Sequence, residues 1–218
     1  MAEAEWLACT DPTPMLEFLR GKASDRKLRL FACACVRGIW RLLDDQRSKR
    51  AVTLAEEYAE GVATSKALDR ARSEAIELAN LLCAPPGHSR AERRKLGAYA
   101  AGRTAAHGWD AMISAAEFVL PGRKSVLIRC IFGNPFRPSP TLLAAVLAWN
   151  DGTVPRIARG IHDDRKMPEG TLYNDRLAIL ADALLDAGCE DEALMQHCRK
   201  SGPHVRGCWA VDLILGKS

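Results

Sequence analysis

The sequence predicts an all-α fold, a globular multi-helix bundle of about ten helices with room for two helical subdomains. Three observations predict it. Apolar residues recur at three- and four-residue intervals along most of the chain, which is one face of a helix with 3.6 residues per turn. Neither the alternation of a half-buried strand nor a tight hairpin turn stands out. Composition agrees: of 218 residues, 48% are hydrophobic and 27% charged, the balance of a chain that folds around one sizeable core or two small ones.

The elements follow in order. In SDRKLRLFACACVRGIWRLLDD, residues Leu28, Phe31, Cys35, Ile39 and Leu42 fall on one stripe, with Ser24 or Asp25 as the cap. QRSKRAVTLAEEYAEG gives a second stripe at Val52, Ala55, Tyr58 and Val62. A third runs through Leu68, Ala71, Ala75, Leu78 and Leu82, started by Thr64 or Ser65 and stopped by Pro85 and Pro86. Short turns between these helices favour antiparallel neighbours. Residues 89–120 are alanine-rich and read as one long helix or two, with Gly102 and Gly108 as breaks. A shorter helix covers RKSVLIRCIF.

GNPFRPSP, whose prolines are Pro135, Pro138 and Pro140, excludes regular structure and marks a rigid crossing over 134–140. It is expected to divide an N-terminal bundle, 1–133, from a C-terminal helical subdomain, 141–218, packed on it. The latter offers five more amphipathic segments: TLLAAVLAWNDG, TVPRIARGIHDD, YNDRLAILADALLDAG, EDEALMQHCRK and HVRGCWAVDLILG. No fixed repeat length links them, which favours a bundle over a solenoid.

The net charge of +4 is too small to imply a polyanionic partner unless it is concentrated in a patch. MAEAEWLACTDPTP lacks a basic segment followed by an apolar one, and no run approaches the roughly 18 apolar residues of a membrane helix. A cytoplasmic protein without a membrane partner is expected. The eight cysteines (Cys9, Cys33, Cys35, Cys83, Cys130, Cys189, Cys198, Cys208) then read as reduced thiols that pack as small hydrophobes.

Two histidines and two cysteines crowd HCRKSGPHVRGC. If residues 205–215 are helical, His204, Cys208 and Asp212 line up along one face, with ends about 12 Å apart at 1.5 Å per residue, too far to share one ion. His204 and Cys208 alone could supply two zinc ligands, completed by His197 or Cys198 folding back from the preceding helix. A metal-dependent or thiol enzyme centred there is the second alternative for function. Against it, no CxxC knuckle occurs. The competing expectation is that Cys208 and Trp209 pack inward, His204 caps the helix and Asp212 pairs with a cation such as Arg206. These thiols and imidazoles are then core filler, too scattered for joint chemistry, and no cofactor is expected. In the CAC of Cys33 to Cys35 the two thiols point about 200° apart on a helix and cannot chelate together.

Basic residues concentrate in Arg20, Lys22, Arg26, Lys27, Arg29, Arg37, Arg41, Arg47, Lys49 and Arg50, against Asp25, Asp44 and Asp45. Arg90, Arg93, Arg94, Lys95 and Arg103 form a second group. If the helices carrying them align, Arg26, Lys27, Arg29, Arg37, Arg41, Arg90, Arg93, Arg94 and Lys95 would make a phosphate-tracking surface, and nucleic acid is the first alternative partner. No recognition helix or exposed aromatic platform accompanies the charge. Phosphate loops, HExxH, GxSxG and EF-hand patterns are missing. The Asp pairs at 44–45 and 163–164 are expected near helix ends rather than on a metal.

Five blocks, EWLACTDPTPMLEFLRGKASDRKLRLFACACVRGIW, IFGNPFRPSP, WNDGTV, RLAILADALLDAGC and HVRGCWAVDLILGK, resemble a family of uncharacterised proteins expanded in planctomycete bacteria. The likeness spans most of the chain except residues 51–120, and departs at Val36 and Gly38, where the family carries a cysteine and an arginine. It implies a bacterial, cytoplasmic, helical protein and no particular activity. The leading expectation is therefore a non-enzymatic helical interaction module, an adaptor or accessory subunit of a larger complex with a protein partner.

Overall fold

A computed structural model describes residues 1–82, 90–116, 121–137, 142 and 144–218. It is all-α, 71% helical, with twelve α-helices and no strand or sheet among the described residues. Cys83, Pro85 and Pro86, and the ends of the 89–120 and 134–140 segments, lie outside them. Among the described residues no helix is long and apolar enough to cross a membrane.

In chain order the helices are α1 (Glu3–Ala8), α2 (Pro12–Leu19), α3 (Asp25–Arg37), α4 (Gln46–Ala59), α5 (Ser65–Leu81), α6 (Arg90–Thr104), α7 (Trp109–Ala116), α8 (Pro121–Phe132), α9 (Ala144–Asp163), α10 (Asn174–Asp186), α11 (Glu192–Arg199) and α12 (Trp209–Leu215). Several starts are set by side chains that accept orphan helix N–H groups. Ser24 caps α3 through Lys27 N–H, Thr64 caps α5 through Ala67 N–H, and Asp191 caps α11 through Leu194 N–H at 2.7 Å. Of the paired aspartates, Asp45 caps α4 and Asp163 ends α9.

Packing divides the chain into two units, residues 10–125 and residues 1–9 with 126–218. The sequence placed the division at the Pro-rich stretch 134–140; it falls instead inside α8, and residues 1–9 group with the C-terminal part. The cause is visible at α1. Trp6 is fully buried, and its indole N–H donates to the Gly133 carbonyl at 3.1 Å. Arg129 donates to the carbonyls of Trp6 and Cys9 at 3.1 and 2.9 Å, and Glu3 accepts from Asn134 and Arg137.

In the unit of residues 10–125, α3 packs against α4, α6 and α7, and α5 against α4 and α6. From Leu28 to Arg37 every residue of α3 is buried, so this helix is enclosed on all sides rather than presenting one stripe. Cys33 and Cys35 are both fully buried on it, and burial pushes the Cys35 thiol up to about 12, an inert packing thiol. Enclosure also forces two arginines inside. Arg37 makes a forked pair with Glu56 at 2.6 and 2.8 Å, and Arg29 donates to the carbonyls of Thr104 and Ala106. Gly102 does not break α6; a Cβ there would meet Ile76 of α5 at 2.7 Å, so its missing side chain lets the two helices close up.

In the second unit α10 packs on α9 and α11, and α12 on α9. The two segments read from sequence over 141–164 contain α9, broken where Asn150, Asp151 and Gly152 take left-handed conformations. The loop before α12 is held by bridges from Thr171 to Lys166 and Val205.

Candidate metal centre

Four donors from four separate places meet in the unit of residues 1–9 and 126–218. Cys130 comes from α8, His197 from the last turn of α11, His204 from the loop after it, and Cys208 is the N-cap of α12. One ligand atom from each lies within 4.8 Å of every other. His197 Nε2 and Cys208 Sγ are 3.2 Å apart, and Cys130 Sγ and His204 Nδ1 are 3.7 Å apart. In a tetrahedral zinc site, with Zn–S near 2.3 Å and Zn–N near 2.0–2.1 Å, neighbouring donors stand about 3.3–3.8 Å apart. The donors are therefore arranged around a point at which an ion of that size fits with small adjustments.

Local sequence explains how the last three donors reach that point. Val205 pairs with Thr171 and the His204 carbonyl accepts from Leu172 N–H, which fixes the loop. The chain then reverses in one turn, with Cys208 N–H bonded to the Val205 carbonyl. Gly207, at φ 87°, occupies the third position of that turn, where a side chain would be strained. Trp209 follows and stacks on Gly133, just past α8, where a Cβ would stand 3.1 Å from the indole. That contact sets α12 beside the end of α8, and so Cys208 beside Cys130.

Hydrogen bonding fixes one imidazole for ligation. His204 Nε2 lies 2.8 Å from the Lys200 carbonyl, which can only accept, so Nε2 carries the proton and Nδ1 turns its lone pair to the cluster. The His197 ring packs edge-on to that of His204, with centroids 4.7 Å apart, and lies 5.1 Å from Trp209. Cys130, His204 and Cys208 are buried and His197 is partly exposed. Burial works to raise the Cys208 thiol, but contacts with Cys130, His197 and His204, and the charge of His197, outweigh it and hold the thiol well below its ordinary range. Burial likewise works to lower His204; the hydrogen bond and charge of Cys208 overcome it and raise the imidazole. The protein alone thus favours a thiolate at Cys208, a charge that a divalent cation would satisfy.

This corrects the expectation of scattered core filler. The helix was read as starting at Val205, which strung His204, Cys208 and Asp212 along one face. It starts at Trp209, so His204 lies in the loop and turns back beside Cys208. Three of the four residues named as the metal alternative, His197, His204 and Cys208, converge. Cys198 does not join them. It is the neighbour of His197 on α11, rotated by about 100°, and is buried with its thiol pushed up by burial first and then by the charges of Cys208 and Cys189. Cys130 takes its place from 74 residues before His204. No local signal exposes it; the only hint was a cysteine on a short helix without a role.

Among the described residues, several of the basic side chains are buried or paired with acids. Arg29 and Arg37 are buried and engaged, Arg26 pairs with Glu60 at 2.8 Å, and Arg94 pairs with Asp44. Arg41 is exposed and Lys27 and Lys95 are half-buried, while the side chains of Arg90 and Arg93 lie outside the described residues. The aspartates at 163–164 pair with His162 and Arg176. Comparisons with protein-family models, with curated proteins and with solved structures find no match to this chain.

Proposed function

We propose that the chain is a non-enzymatic, zinc-stabilised helical interaction module, in which a structural ion held by Cys130, His197, His204 and Cys208 clamps α8, α11 and α12. The observation that carries this reading is the convergence of two thiols and two imidazoles with donor spacing suited to a tetrahedral ion. A sulfur and nitrogen set selects zinc over the hard cations, which take oxygen ligands. Four protein donors fill a tetrahedral shell, whereas catalytic zinc sites keep a position for water.

The thiol-enzyme alternative uses the same short contact between His197 and Cys208. Cys208 is fully buried and in contact with Cys130, His197 and His204, an enclosure that disfavours any substrate larger than a water-sized molecule. The nucleic-acid alternative loses Arg29 and Arg37 to the interior. Membership of the planctomycete-expanded family is proposed on the five blocks given above; one of them, HVRGCWAVDLILGK, contains two of the donors.

The test is metal content. Protein purified under reducing conditions without added metal is expected to contain one zinc per chain, and cobalt substituted for it should give the intense visible bands of a tetrahedral thiolate site. Metal-free protein with an unchanged fold would refute the reading.

A further inference from the structure

We propose that this centre is a peroxide-responsive latch, in which a peroxide joins Cys130 to Cys208 as a disulfide, expels the zinc and releases α11. The inference rests on the zinc reading and adds regulation of the same site. Its geometric basis is the identity and origin of the four donors. The two sulfurs are neighbours within the 4.8 Å cluster and come from α8 and the N-cap of α12, while both imidazoles come from α11 and the loop after it. A bond between the sulfurs therefore keeps α8 tied to α12 but removes the only common anchor that the donor set gives to His197 and His204. Closing from a spacing within 4.8 Å to the roughly 2.05 Å of a disulfide needs a movement of at most about 3 Å.

The released element is short, and its packing partners are α10 and α12. Helix α11 has eight residues, and its buried side chains are Leu194 and Cys198. It also carries the partly exposed donor, His197, which lies 3.2 Å from Cys208 Sγ and so marks the side from which a small peroxide would approach.

The chemistry balances with peroxide as sole co-reactant. One thiolate attacks a peroxide oxygen, the O–O bond breaks, and a sulfenic acid and hydroxide form. The second thiolate attacks the sulfenic sulfur, the S–O bond breaks, the S–S bond forms, and a second hydroxide leaves. The sulfurs give up two electrons and the peroxide takes them; with two of four donors lost, the zinc ion departs. Cys33 and Cys35 are fully buried and lie about 200° apart around α3, and they are expected to stay reduced.

The experiment uses the full chain, purified anaerobically with its zinc and titrated with hydrogen peroxide. Zinc release is read with a chromogenic chelator, disulfides by peptide mass mapping and local opening by hydrogen exchange. Expected are one zinc lost per peroxide consumed, a Cys130–Cys208 cross-link, and increased exchange over residues 192–207 with little change in α8 and α12. A dithiol reductant with added zinc should reverse all three, and Cys198→Ser should respond like the parent. Zinc retained while peroxide is consumed, sulfinic acids in place of the cross-link, or a bond from Cys198 to Cys208 would overturn the latch alone. Reduced protein that holds no zinc before peroxide is added overturns the zinc reading and the latch with it.

Discussion

Cys130 and Cys198 separate what a sequence can say about individual residues from what only packing decides. Adjacency in the chain made Cys198 a natural companion of His197, yet neighbours on a helix point about 100° apart, and only the tertiary meeting of α8 with α12 supplies the second sulfur. His197, His204 and Cys208 were legible because they are close in sequence; Cys130 was not, because nothing in RKSVLIRCIF distinguishes a ligand from a core thiol. The two cysteines make opposite predictions. Cys130→Ser is expected to leave the purified chain with well under half its zinc, while Cys198→Ser keeps one ion per chain, as elemental analysis would read. Arg37 is a second residue-scale case. The sequence offered it to a phosphate-tracking surface, and the structure buries it against Glu56. Arg37→Met should destabilise the unit of residues 10–125 by about 3–5 kcal/mol, because a carboxylate is left buried without its partner. Replacing both with apolar residues should recover much of that loss, measured by urea unfolding of the single and double variants.

At the level of elements the sequence was most informative where caps and periodicity agree. Ser24 and Thr64 start α3 and α5 as expected, and the stripe through Leu68, Ala71, Ala75 and Leu78 is the buried face of α5. It was least informative where helix ends depend on tertiary contacts. Ile39 and Leu42 continued the α3 stripe on paper but fall beyond its end at Arg37, and the start of α12 was read four residues early. That slip displaced His204, because a donor in a loop and a donor on a helix face point in different directions. Two substitutions test what holds these elements. Gly133→Ala places a side chain at φ 67° and 3.1 Å from Trp209, and is expected to destabilise the unit containing α12 by about 1–3 kcal/mol. Asp191→Ala removes the α11 cap and should cost about 1 kcal/mol, seen as faster hydrogen exchange at the start of that helix.

For the molecule as a whole, the division into two units means that metal removal should be felt unequally. Stripping the ion is expected to lower the stability of residues 1–9 and 126–218 by about 4 kcal/mol where free zinc had stood at a thousand times its dissociation constant. Exchange protection of α3 to α6 should hardly change, and a uniform loss across both units would count against the clamp. The same unit depends on residues remote in sequence. Trp6→Ala should remove about 3–5 kcal/mol, with the loss appearing in amides beyond residue 126 rather than in the 10–125 bundle. This discontinuous build has a consequence during synthesis. Trp6 leaves the ribosome about 200 residues ahead of Cys208, an interval of roughly 10–40 s at ordinary elongation rates. The nascent chain can complete its intervening bundle in that time, while the tryptophan waits for α8 and the three earlier donors wait for the last sulfur. If the cluster holds zinc as proposed, its supply once residue 208 has been added would then govern how much of the chain reaches its finished form.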